Sequence, residues 1–120
     1  NRYACACSNT RGLFMGGYNS SGYSGTSNRL NVIDYITIAS TGNASDFGDL
    51  TAYGDGGATS NGTKAIFSYA NEHGFTGGSA DTNTIDKVTI ASTGNASDFG
   101  DAATNTGTQV RATSDSHGGL

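Results

Sequence analysis

The run Thr-Ile-Ala-Ser-Thr-Gly-Asn-Ala-Ser-Asp-Phe-Gly-Asp spans residues 37–49 and returns unchanged at residues 89–101. An identical run of this length within 120 residues indicates an internal duplication. The similarity extends upstream, because three of the four residues in 31–34 recur in 83–86, 52 positions later. A period of about 52 residues falls in the range of propeller blades and predicts a chain built from repeated supersecondary units.

Weaker similarities extend the repeat in both directions. Residues 8–14 resemble residues 60–67 with one inserted glycine, and residues 112–120 resemble the segment that begins at Ala58. The chain is therefore expected to contain two full units and the opening of another. The predicted boundaries are residues 1–52 for repeat unit 1, 53–104 for repeat unit 2 and 105–120 for a partial unit 3.

The segment that precedes each repeated turn alternates as a β-strand does. In residues 32–39 the β-branched side chains dominate, and Ile36 and Ile38 fall on the face opposite Tyr35. Lys87 replaces Tyr35 in the second copy, so we expect the Ile36 and Ile38 face to be buried and the Tyr/Lys position to be exposed. Turn residues follow, and no stretch has sustained helical periodicity. Each unit is predicted to form about four short antiparallel strands.

Composition excludes several classes of protein. Leu, Ile, Val and Phe contribute 18 of 120 residues, a proportion typical of disorder, but only 13% of residues are charged, which disordered chains usually exceed. The net charge of −4 and the six scattered Lys and Arg residues argue against nucleic acid as a partner. No apolar run approaches the roughly 18 residues of a membrane span, so membrane insertion is not expected.

One order of elements resembles a known repeat family. An apolar segment that ends in two glycines (residues 12–17) precedes a polar loop, the strand at residues 31–38 and a turn with an aromatic residue. This order resembles the kelch repeat, with Phe47 and Phe99 where kelch units usually carry Trp. The longer run at residues 33–51 more closely resembles the kelch-like repeats of predicted structural proteins of marine bacteriophages, especially those that infect cyanobacteria.

The resemblance implies an all-β fold made of kelch-like, β-propeller-type blade repeats. It further implies a non-enzymatic structural or binding protein of an extracellular assembly, with a phage virion fibre or tail as the leading setting. The location would be the virion or the extracellular space. The alternative is a subunit of a microbial surface filament or adhesin, and a third candidate is a glycan-acting propeller enzyme.

The expected partners are identical subunits or further repeats of the same chain. A propeller closes with about four to eight blades, and two units leave sheet edges that invite pairing with another chain. A host-surface glycan is a further candidate partner.

Carboxylates repeated with the period are the candidates for metal binding. Carboxylates near Asn and backbone carbonyls suit calcium, although no EF-hand spacing is present. The alternative is that these Asp side chains accept hydrogen bonds from neighbouring backbone amides in turns. No cofactor is predicted. The repeated set is Asp34, Asp46 and Asp49 with Asp86, Asp98 and Asp101, and the calcium candidates within it are Asp46, Asp49, Asp98 and Asp101.

Cysteine and histidine do not form a predicted catalytic set. Cys5 and Cys7 would lie about 6.5–7 Å apart on one face of a strand, at or beyond disulfide reach, and two ligands make half of a zinc site. They are expected to be small semi-buried strand residues, or to bond another chain. His73 and His117 have no matching repeat position and no evident nucleophile partner.

Several tyrosines lie among Ser, Gly and Asn, a composition that suits adaptable contacts. They form a candidate binding surface, and the alternative is that they cap the edges of the sheets. These residues are Tyr18, Tyr23, Tyr35, Tyr53 and Tyr69.

Overall fold

The protein is all-β in a computed structural model that describes residues 3–17, 29–73, 79–80, 83–104 and 111–114. No helix is present in these ranges. The nine strands are β1 (Ala4–Cys7), β2 (Arg11–Met15), β3 (Val32–Thr37), β4 (Ser45–Asp49), β5 (Tyr53–Ser60), β6 (Lys64–His73), β7 (Ser79–Ala80), β8 (Thr84–Thr89) and β9 (Ser97–Asp101).

The strands form two antiparallel sheets, one for each copy of the repeat. The first sheet has the order β1-β2-β3-β4, and the second has the order β5-β6-β8-β9, with the short β7 paired to the end of β6. The prediction of about four short antiparallel strands for each unit is confirmed. Within the described residues the sheets remain open, so neither closes into a barrel or a ring.

The two copies of the repeated segment form the same strand–turn–strand. Ile33 lies opposite Gly48 in the first copy, and Ile85 lies opposite Gly100 in the second. The register shifts by one residue immediately after each of these isoleucines, which is the mark of a β-bulge. Identical sequence therefore produces identical pairing, as the duplication predicts.

The hairpins β1–β2 and β5–β6 have turns of equal length, at residues 8–11 and 61–64. Ser8 Oγ accepts hydrogen bonds from the amides of the third and fourth turn residues, at 3.2 and 3.1 Å. Asn61 Oδ1 accepts the equivalent pair, at 3.0 and 2.8 Å. The predicted inserted glycine is therefore wrong for this turn, because Asn61 rather than Ser60 takes the place of Ser8.

The hydrophobic core lies between the two sheets. Since side chains alternate along a strand, each sheet has two faces, which we name front and back. Core side chains of the front face of the first sheet are Ala4, Ala6, Leu13, Met15, Ile33 and Phe47, and those of the back face of the second are Ala65, Phe67, Tyr69, Val88 and Ile90. None is more than 8% exposed. Burial of this apolar surface holds the sheets together.

The predicted buried face of β3 is the exposed one. Ile33 is completely buried, whereas Ile36 is only half-buried and Ile38 is 54% exposed. In β8 the face that corresponds to Ile36 and Ile38 is buried, and it carries Val88 and Ile90. The prediction is therefore right for the second sheet and wrong for the first. Among the described residues, only the second sheet has another sheet packed against its back face.

Candidate interaction surface

The calcium candidates are exposed turn and strand carboxylates. Asp46 Oδ1 accepts a hydrogen bond from the Gly48 amide at 3.1 Å, and Asp98 Oδ1 accepts one from the Gly100 amide at 2.9 Å. These bonds are local backbone contacts of the kind that turn carboxylates make. In the described part of the chain, no three His, Cys, Asp or Glu side chains lie close enough to hold a metal ion.

The second calcium candidate of each unit is also exposed. Asp49 and Asp101 end β4 and β9, at equivalent positions of the repeat. Their side chains point away from the core, and the backbone of Asp49 takes part in a contact between the two sheets. Asp49 thus contributes its amide and its carbonyl to the contact between the sheets.

Both cysteines and one of the two histidines lie in described strands. Cys5 and Cys7 lie in β1 as predicted, the first exposed and the second half-buried, and both are free thiols. His73 ends β6, where its backbone pairs with β5 and β7. His117 lies outside the described residues.

The structure describes three of the five candidate tyrosines: Tyr35, Tyr53 and Tyr69. Tyr69 is completely buried, so its assignment to a binding surface is wrong. Tyr53 is half-buried at the start of β5. Tyr18 and Tyr23 lie outside the described residues.

Tyr35 belongs to the packing between the units. It is half-buried rather than exposed as predicted, and its ring meets Phe47 edge-on at 5.9 Å between centroids. The Arg11 guanidinium lies 4.8 Å from the Tyr35 centroid on the same front face. Arg11 Nη1 also donates a hydrogen bond of 2.9 Å to the carbonyl of Ile90 in the second sheet. Tyr35 therefore packs against the Arg11 side chain that bonds to the second sheet.

Tyr69 is hydrogen-bonded to a buried carboxylate, that of Asp86, which belongs to the repeated Asp set. Its hydroxyl donates to Asp86 Oδ2 at 2.6 Å and accepts from the Ala52 amide at 3.0 Å. The amide and hydroxyl of Thr51 also donate to Asp86, at 2.8–2.9 Å. Burial, and then the bond to Asp86, raise the pKa of Tyr69 far above its usual range. The available signal was an Asp on an otherwise apolar face of β8.

This network joins the linker between the sheets to the second sheet. Thr51 and Ala52 lie between β4 and β5, whereas Asp86 and Tyr69 lie in β8 and β6. Asp86 is completely buried, so a substrate cannot reach it from solvent. Its hydrogen bonds satisfy the carboxylate, which a buried charge requires. The network is a structural clamp.

The repeated segment forms the edge contact between the two units. The Gly94 amide donates to the Phe47 carbonyl, and the Ala96 amide donates to the Asp49 carbonyl, both at 2.7 Å. Asn95 Oδ1 accepts a hydrogen bond from the Asp49 amide at 3.1 Å. The turn at residues 92–96 of the second unit is therefore docked along β4 of the first.

A glycine makes this close approach geometrically feasible. Gly48 has a φ of 145°, and a Cβ at this residue would lie 2.5 Å from the carbonyl oxygen of Gly94. Gly100, its counterpart in β9, has a φ of 143° and no atom within 4 Å of the equivalent Cβ position. The backbone conformation is the same at both glycines, but only Gly48 has a turn of the other unit packed against it.

Two faces do not lie in the contact between the sheets: the front face of the second sheet and the back face of the first. Both carry exposed apolar side chains. On the front face of the second sheet, Phe99 is 55% exposed, whereas its counterpart Phe47 is 2% exposed. On the back face of the first sheet, Val32 and Ile38 are 37% and 54% exposed. An open cavity of about 440 Å³ lies in front of the second sheet, and Ile66 and Phe99 are among its lining residues.

These features define an all-β repeat protein whose two four-stranded units stack front to back. No protein-family model matches the sequence, and curated proteins show no significant match to it. The described part of the chain has no helix of the length and apolar character needed to cross a membrane.

Proposed function

We propose that this chain is a non-enzymatic structural repeat module of an extracellular assembly, and that its two sheets are kelch-like blades. The observation that carries the proposal is the double use of one segment. Phe47 and Gly48 of the first copy lie in the contact between the units, whereas their counterparts Phe99 and Gly100 in the second copy face open space. A module built in this way is suited to further stacking.

The geometry also supports blades rather than an unrelated sandwich. Each unit is a simple antiparallel meander, which is the arrangement of a propeller blade. The first strands of the two units, β1 and β5, lie next to each other, and Ser60 Oγ in β5 accepts a hydrogen bond from the Cys7 amide at 3.3 Å.

A virion fibre or tail is the setting that the resemblance of residues 33–51 favours. The second candidate is a subunit of a microbial surface filament or adhesin. The observation in favour of it is that the two bare faces differ, because unlike faces join head to tail and produce open filaments when the rotation does not close. Symmetry separates these candidates, since a tail part is expected on a three-fold or six-fold axis.

The experiment for this proposal is electron microscopy of native particles labelled with an antibody raised against the chain. Label at regular positions on virion fibres or tails supports the first setting, and label along cell-surface filaments supports the second. A parallel screen of the purified chain against a glycan panel measures both binding and hydrolysis. Catalytic hydrolysis of any glycan would overturn the non-enzymatic role.

A further inference from the structure

We propose that a second copy of this chain docks on the front face of the second sheet with the back face of its own first sheet. The contact would reproduce, between molecules, the contact that the two units already make within one molecule. This inference deepens the proposed structural role by naming the partner and the residues that meet. It rests on four independent features of the described residues.

The first feature is the bare front face. Phe47 packs in the core on the first sheet, whereas Phe99 occupies the same place on the second sheet and is 55% exposed. Ile66 is half-buried, although its counterpart Leu13 is completely buried. Apolar side chains at matched positions are therefore covered in one sheet and open in the other, and the covering element is another sheet.

The second feature is a back face that fits this front face. The back face of the second sheet covers the first unit with Phe67, Val88 and Ile90. The back face of the first sheet carries Phe14, Ile36 and Ile38 at the corresponding places, and all three are at least partly exposed. The residue types match closely, so the back face of a second copy presents the same kind of surface.

The third feature is the edge contact. The internal contact uses a Gly-Asn-Ala sequence at residues 94–96, and the same sequence stands at residues 42–44 in the first unit. The first-unit copy is exposed. The strand that would receive it, β9, has the sequence of β4 and leaves 4 Å free around the Cβ position of Gly100. Both halves of the edge contact are present, one in each unit.

The fourth feature is the cation that crosses the interface. Arg11 reaches the Ile90 carbonyl across the internal contact. Lys64 holds the place of Arg11 in the second unit, is exposed, and borders the cavity in front of the second sheet. In the docked pair, Lys64 would face the carbonyl of Ile38 from the second copy. Thr113 and Ser114 border the same cavity, so the docked sheet meets this segment as well.

The two surfaces are different, so the contact is head to tail. The docked pair keeps one free front face and one free back face, and assembly continues until a ring closes or a filament grows. Either outcome uses the same residues. A dimer that joins either face to the same face of the second copy would not bring residues 42–44 to β9.

The experiment measures self-association of the full chain by sedimentation velocity over a range of micromolar concentrations, with reductant present because Cys5 is exposed. Two variants block one end each: F99D on the front face and I38D on the back face. Each is expected to weaken association by at least about tenfold. Circular dichroism at low concentration checks that both variants keep the fold of the wild type.

Mixing the two variants distinguishes a front-to-back contact from a contact in which one face meets the same face of the second copy. F99D keeps the wild-type back face, and I38D keeps the wild-type front face. An equimolar mixture is therefore expected to form one-to-one dimers, which grow no further because both remaining faces carry a substitution. If the mixture stays monomeric, or if both variants associate as the wild type does, the proposed interface is wrong. A monomeric wild-type chain would overturn it as well.

A matched pair of Asn variants tests the edge contact separately. N43A is expected to weaken association without changing the urea midpoint of the dilute chain. N95A is expected to lower that midpoint, because this Asn acts within the molecule. If N43A associates like the wild type, the edge contact is overturned. Association through some other surface would contradict this interface and leave the structural role in place, whereas glycan turnover would contradict the role alone.

Discussion

Phe47 and Phe99 occupy the same position in two identical segments, yet Phe47 is 2% exposed and Phe99 is 55% exposed. Their strands, bulges and turns are the same, so local sequence does not cause the difference. The cause is the neighbour: a second sheet covers Phe47, and none of the described residues covers Phe99 to the same extent. This pair therefore reports directly on the stacking of the units.

Replacement of Phe47 and of Phe99 by alanine is expected to lower the free energy of unfolding by different amounts. Phe47→Ala should lower the free energy of unfolding by about 3–5 kcal/mol, because it leaves a cavity in the core between the sheets. Phe99→Ala, measured at a low fixed protein concentration, should change it by less than about 1 kcal/mol. Urea unfolding followed by circular dichroism makes the comparison. Equal losses would show that the two sheets do not stack as described.

Gly48 and Gly100 form a second matched pair. Alanine strains the backbone at both residues, since both have a φ near 145°. Only Gly48→Ala also places a Cβ against the Gly94 carbonyl. We expect Gly48→Ala to cost about 1–3 kcal/mol more than Gly100→Ala in urea unfolding of the dilute chain. If Gly100→Ala proves as costly, the turn at residues 92–96 does not lie on β4.

The buried carboxylate of the clamp should not tolerate an amide. Asp86→Asn turns one acceptor into a donor opposite the Thr51 and Tyr69 groups that donate to it, and should cost about 1–3 kcal/mol of unfolding free energy. Asp34→Asn is the matched control, because Asp34 holds the equivalent position in a half-buried environment. It should stay within about 0.5 kcal/mol of the wild type. Thermal denaturation of both variants decides between a clamp and a dispensable contact.

The clamp should also make the protein sensitive to alkali. The folded protein raises the pKa of Tyr69 above its usual value of about 10, so the folded state keeps a proton that the unfolded chain loses. The stabilisation is present below pH 10 and is lost as pH rises above it. Relative to Tyr69→Phe, the wild type should lose about 1.4 kcal/mol per pH unit above pH 10. Parallel curves of unfolding free energy against pH would contradict this.

Alternation and turn composition were sufficient to predict the repeated strand–turn–strand of each unit. β3 and β8 follow from their β-branched residues, and the turns after them follow from Gly and Asn. The buried face of β3 could not be predicted in this way, because Ile33 and Ile36 are equally apolar. Which of them enters the core depends on the side from which the second sheet arrives, and that is a property of tertiary packing.

The candidate interaction surface was only partly visible in the sequence. The duplicated segment itself was the signal for a repeated contact, since identical residues present identical backbone. The tyrosines misled because Tyr69 has a buried hydrogen-bond partner, Asp86, that lies 17 positions away and on another strand. Composition near a residue does not reveal a partner of this kind.

The front-to-back relation of the two units has a consequence for how such a chain can evolve in length. Insertion of one whole period would leave the first back face and the last front face unchanged, provided that the added unit makes the junction that the present two units make. Variants with different numbers of units would then remain compatible with one another in a mixed assembly. The number of units in the chain could then change during evolution, while the two surfaces that contact neighbouring molecules stay the same.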